Sequence, residues 1–169
     1  MRRTLFWLPD VGLCGRGSGV DDVPAALGMT GPSAAQVDRA RRLLAAEGDS
    51  GASADACAAA AKRVYAKLSA QLSPLLGAAG VEALFARSAK LAGAERPRIA
   101  ELADGIDAST RLGACLQALA PAAASDTAAL LFGTLLELIV TFIGDRLTVQ
   151  ALRGAWPAID QTAPRETKK

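Results

Sequence analysis

The chain has 169 residues, of which 51% are hydrophobic and only 4% aromatic, and its formal net charge is +2. That length suits one domain with a substantial core, and because Ala dominates the apolar residues the composition favours helices. Neither His nor Asn occurs, which removes the usual base of Ser and Cys hydrolases, the commonest metal ligand and any N-glycosylation sequon; no metal or cofactor is called for.

Residues 1–32 are rich in Gly, Pro and Asp and keep no sustained period, the pattern of a flexible or disordered extension. The opening "MRRTLFWLP" carries the two arginines of a signal peptide, but its apolar run stops at Leu8-Pro9, short of a signal core. Export is not expected. Met29 stands just before the first clear helix signal, which makes residues 1–28 expendable or a misplaced start.

Ser33 and Gln36 have capping-box spacing, and Val37, Ala40 and Leu44 follow on one face while Arg39, Arg41 and Arg42 point elsewhere. After the loop "EGDSGAS", a second helix from about Ala54 to Leu72 gathers Ala61, Val64, Tyr65, Leu68 and Leu72 on its apolar side. Ser73-Pro74 reads as an N-cap followed by proline at the first helical position. The third helix so opened carries Val81, Leu84, Phe85, Ser88, Leu91 and Ala92 inward and stops at Gly93. Pro97 opens a short helix ended by Gly105, and another from about Ala108 presents Leu112, Cys115, Leu116 and Leu119. "APAAASD" reads as a break before Ser125 or Asp126 caps a long apolar helix. A last turn or two through Leu147–Arg153 ends at Gly154 and Trp156-Pro157. The expected fold is therefore all-α: a bundle of about six helices over residues 33–157 around a central, mostly apolar C-terminal helix, with a flexible tail at 158–169.

The apolar helix raises a question of solvent. Ala128–Gly144 is 17 residues, roughly 25 Å of helix against a hydrocarbon thickness of about 30 Å. Thr134, Glu137, Thr141, Asp145 and Thr148 are spaced 3, 4, 4 and 3, one narrow polar stripe on an otherwise apolar rod. The amphipathic rhythm also runs on past Gly144 through Leu147, Ala151 and Leu152. Both points favour the central helix of a soluble bundle over a membrane span. Glu137 is expected either at the bundle surface or paired with an arginine such as Arg87 or Arg111, because an unpaired buried charge is costly. The sharper alternative has Glu137, Thr141 and Asp145 line a polar cleft or interface for a cationic partner. Eight helical positions separate the two carboxylates, about 12 Å, too far for one acid/base pair.

Other motifs fall away on inspection. "GDSG" at Gly48–Gly51 is similar to the nucleophile loop of trypsin-like proteases, but the chain has no histidine and the context is helical. "GRGSG" at Gly15–Gly19 has neither the spacing nor the Lys-Ser/Thr ending of a phosphate loop. Cys14, Cys57 and Cys115 are odd in number and far apart, so reduced thiols in a cytoplasm are expected. From Lys62 to Arg98 there are seven Lys/Arg against two Glu, and Lys62, Arg63 and Lys67 mark a candidate basic surface. "VEALFARSAKLAGAERPRIAELA" can be drawn as a helix-turn-helix, although such turns join helices in many bundles.

At "PLLGAAGVEALFARSAKLA", residues 74–92, and "FIGDRLTVQALRGAWP", residues 142–157, the chain resembles a set of small all-helical proteins of high-GC bacteria with no assigned activity. The resemblance spans roughly residues 60–157; it implies a bacterial, all-helical protein and transfers no site residues. With no catalytic constellation in view, the expected function is a non-catalytic protein-interaction or adaptor module in bacterial signalling or regulation. Its expected partner is another protein or a second copy of the chain. A nucleic-acid-binding regulator using residues 62–98, and membrane association through 128–144, are the alternatives.

Overall fold

The computed structural model describes residues 31–103 and 107–157. The expected extension at 1–32 falls outside the described residues but for its last two; Gly105 and the tail at 158–169 fall outside them entirely.

Among the described residues there are seven α-helices and no strand: α1 Ala34–Glu47, α2 Ala54–Leu76, α3 Ala78–Ala92, α4 Pro97–Ala100, α5 Ala108–Gln117, α6 Pro121–Ile143 and α7 Asp145–Ala155. A 3-10 turn, Glu101–Ala103, follows α4. α6 is the central helix, touching α1, α2, α3, α5 and α7. By length and composition it could cross a membrane, yet 61% of its most apolar window is buried within the bundle.

The inward faces follow the 3.6-residue rhythm of the sequence. α1 buries Ala40, Leu43 and Leu44; α2 buries Val64, Leu68 and Leu72; α3 buries Val81, Leu84 and Phe85; α5 buries Leu112 and Leu116. All of them close on Leu131, Phe132, Leu135 and Leu136 of α6, at about 1.5–3 kcal/mol for each large side chain removed from water. Tyr65 and Phe85 meet edge to face, ring centroids 4.7 Å apart, and tie α2 to α3. Gly133 lets α1 lie close on α6: a Cβ there would come within 3.1 Å of the Val37 Cα.

Four local expectations need correction. Pro74 does not open α3; it lies inside α2, which continues to Leu76. Proline forfeits one amide bond there, but the Ser73 hydroxyl donates to the Ser69 carbonyl at 2.6 Å and Gly77 N–H donates to the Ser73 carbonyl, so the helix survives one more turn. "APAAASD" is not a break, because Pro121 occupies the first turn of α6, where its missing N–H costs nothing, and the alanines propagate the helix. The last turn or two expected through Leu147–Arg153 is a full helix, α7, which begins at Asp145 after α6 ends at Ile143. Finally, Ser33 precedes α1 without making a side-chain cap, since its hydroxyl is used elsewhere.

Both interior breaks have one geometry. Gly77 has φ 74° and ψ 157°, and Gly144 has φ 83° and ψ 158°, a region essentially closed to residues with a Cβ. Two helix-Gly-helix elbows, α2/α3 and α6/α7, result.

Candidate functional site

The polar stripe of the apolar helix comes to rest along the seam between α1, α6 and α7. The Glu137 carboxylate accepts from the Ser33 hydroxyl at 2.9 Å and from the Ser33 N–H at 3.3 Å, so an acid of α6 sits at the positive end of α1. Of the two arginines offered as its partners, Arg111 instead donates to the Glu101 carbonyl, and Arg87 lies on α3 beside an apolar groove. The Thr141 hydroxyl donates back to the Glu137 carbonyl at 2.8 Å. Asp145 stands 4.0 Å from Arg39. Thr134 and Thr148 are buried and donate to carbonyls of their own helices.

The three cations singled out in sequence have carboxylate company. Lys67 Nζ donates to Glu47 Oε1 at 2.5 Å, and Arg63 donates to the Glu47 carbonyl while its Nε lies 3.7 Å from the carboxylate. Lys62 lays its stem against Gly113 of α5 and lends its charge to the Asp107 carboxyl. Asp107 caps α5, accepting from the Thr110 hydroxyl and N–H, and those bonds with the nearby Lys62 hold it below the usual carboxylate range.

The Glu47 corner was not anticipated. Only 6% of the Glu47 side chain is exposed, and the same Oε1 also accepts from the indole N–H of Trp156 at 2.6 Å, while Lys67 Nζ lies 5.6 Å from the centre of that ring. Burial alone would push this carboxyl up. The hydrogen bonds from Lys67 and Trp156, with the charges of Lys67 and Arg63, outweigh it and hold the group below its ordinary value. The ends of α1 and α7 are thereby locked to α2. In sequence Trp156 marks only the end of the last helix; its acceptor lies 109 residues away and had no local signature.

Two cavities among the described residues bear on the site. One lies between α4 and α5, lined by Arg98, Glu101, Arg111 and Cys115. Cys115 is a free, half-buried thiol whose hydrogen points toward the Arg98 carbonyl at 3.8 Å. Burial chiefly, then Glu101, push it up despite Arg98, the setting of an unreactive thiol. No group of three or more His, Cys, Asp or Glu able to hold a metal occurs among the described residues.

The other is an apolar groove of about 650 Å³ on the outer face of α3. Gly80, Ala83, Leu84, Ala86, Arg87 and Lys90 of α3 line it, joined by Leu76 and Phe142, the residues just before or beside the two glycine elbows. Phe142 is 62% exposed and neighbouring Leu75 54%. The inward face of α3 was legible as an apolar rhythm; its outer face was not, because Ala and Gly carry no amphipathic signal and Phe142 joins it from α6. Comparison of the chain with protein-family models, with curated proteins and with solved structures finds no significant match.

Proposed function

We propose that this protein is a non-catalytic protein-interaction module of a reducing bacterial cytoplasm, acting as an adaptor in signalling or regulation, and that it takes its partner in the groove of α3. The observation that carries this reading is the groove itself: a concave apolar surface with Phe142 left open to water, of a size that binding sites use. Free Cys57 and Cys115 agree with a reducing compartment. The nucleic-acid alternative draws less support, since Lys62, Arg63 and Lys67 each lie near a carboxylate that offsets their charge toward phosphate.

The test is a pull-down of the tagged full chain from its host, soluble and membrane fractions analysed separately, alongside Phe142→Ser. A soluble protein captured by the native chain and lost with the variant is the expected result. Recovery only with membranes, or with nucleic acid that high salt strips away, replaces the reading.

A further inference from the structure

The cavity between α4 and α5 brings charges of both signs to one small space. Its volume is about 440 Å³, room for about fifteen waters at roughly 30 Å³ each and within the range of small-molecule sites. Arg98 and Glu101 come from α4 and the 3-10 turn after it, Arg111 comes from α5, and Leu102, Ala114 and Ala118 add apolar wall.

Arg111 is fixed in place and yet incomplete. Its Nη2 donates to the Glu101 carbonyl, while Nη1 is shielded from water and has no acceptor among the described residues. A guanidinium in that state gains a charge-assisted bond from an oxyanion that reaches it. No ion pair within 4.0 Å joins the Glu101 carboxylate to Arg98 or Arg111, so the two signs do not consume each other. Cys115 reports both: beyond the burial that dominates, Glu101 pushes its thiol up and Arg98 draws it down.

An occupant of one charge meets a partner and an opponent here. A carboxylate alone suits the arginines and is repelled by Glu101; an amine alone suits Glu101 and is repelled by the arginines. A zwitterion meets no such conflict. We propose that the cavity between α4 and α5 binds a free apolar amino acid, its carboxylate on Arg111 and Arg98, its ammonium on Glu101 and its side chain against Leu102, Ala114 and Ala118. A peptide segment does not serve, because peptide bonds remove both charges. The proposal is independent of the α3 groove.

The test is alkylation of Cys115 by iodoacetamide in the full chain, followed by peptide mass spectrometry. That thiol is half-buried in the cavity wall, so a bound molecule shields it. Alanine, valine, leucine, isoleucine, methionine and phenylalanine are titrated singly, and at least one should slow the alkylation saturably. Its deaminated acid and its decarboxylated amine should each bind about tenfold more weakly. Arg98 and Glu101 are exposed, so Arg98→Gln and Glu101→Gln should keep the fold. Glu101→Gln should weaken the amino acid about tenfold without weakening the deaminated acid, and Arg98→Gln should weaken both. Alkylation that none of the six amino acids slows overturns the site. Equal protection by the acid or the amine, or an amino acid bound as tightly by Glu101→Gln, overturns the zwitterion.

Discussion

The Glu47 corner and the α3 groove treat charge and apolar surface in opposite ways. At the corner, a nearly buried carboxylate gathers Lys67, Arg63 and the Trp156 indole, and the ring is covered: Trp156 is 5% exposed. At the groove, cations stand beside apolar surface that nothing in the described chain covers, with Phe142 62% exposed. Each arrangement is stable for its own reason. A buried charge must be answered within the fold or it costs several kcal/mol, whereas an exposed aromatic costs folding little and stays available to a partner. Changes at the corner should therefore be read in stability, and changes at the groove in binding.

The largest expected effect is Trp156→Ala. It removes a buried ring that ties α7 to α1 and α2 and leaves the Glu47 carboxylate short of a donor, so thermal or urea unfolding should show a loss of about 3–5 kcal/mol. A cost under about 1 kcal/mol would mean that the corner is not a closure.

Next is Gly144→Ala. A methyl group there meets no atom within 4 Å, so its expected cost, about 1–3 kcal/mol, comes from φ 83° alone. Because the elbow also sets the place of Phe142, capture of a partner at the groove should weaken with it.

Glu47→Gln keeps an acceptor for Trp156 and drops only the charge; with its cations half exposed, about 1 kcal/mol is expected. The pH dependence sharpens this. The folded carboxyl lies below its unfolded value, so its stabilisation is present above the ordinary Glu range and is lost as pH falls through the folded value. In a Trp7→Phe background, Trp156 fluorescence should report loosening of the corner only at pH below the ordinary Glu range, and Glu47→Gln should abolish that step.

The smallest effect is Phe142→Ser, which should change stability by no more than about 0.5 kcal/mol while removing groove binding. A large loss of stability would turn the groove into structure and undo the contrast.

How far the sequence reached can be seen in particular residues. The faces of α1, α2, α3 and α5 were legible because burial of a helix face leaves a period in the chain. Pro74 misled because proline's rule for helix starts is a preference, and one side-chain bond at Ser73 outweighed it. Glu137 was conspicuous as a charge in an apolar run; Ser33, 104 residues away, was not. The groove left almost no trace, because alanine faces look alike whether they are packed or open.

That this protein is helical, where most helices lie, which residues turn inward and that the apolar helix is central could all be read from the linear chain. Composition and a 3.6-residue period act within one helix, so they survive in a linear reading. Which carboxylate each indole, hydroxyl and cation would find, and which alanine face would remain open, emerged only once the helices were packed together. Those outcomes depend on how helices dock across a hundred residues of chain, and hydrogen bonds of 2.6 to 2.9 Å tolerate no error in that docking.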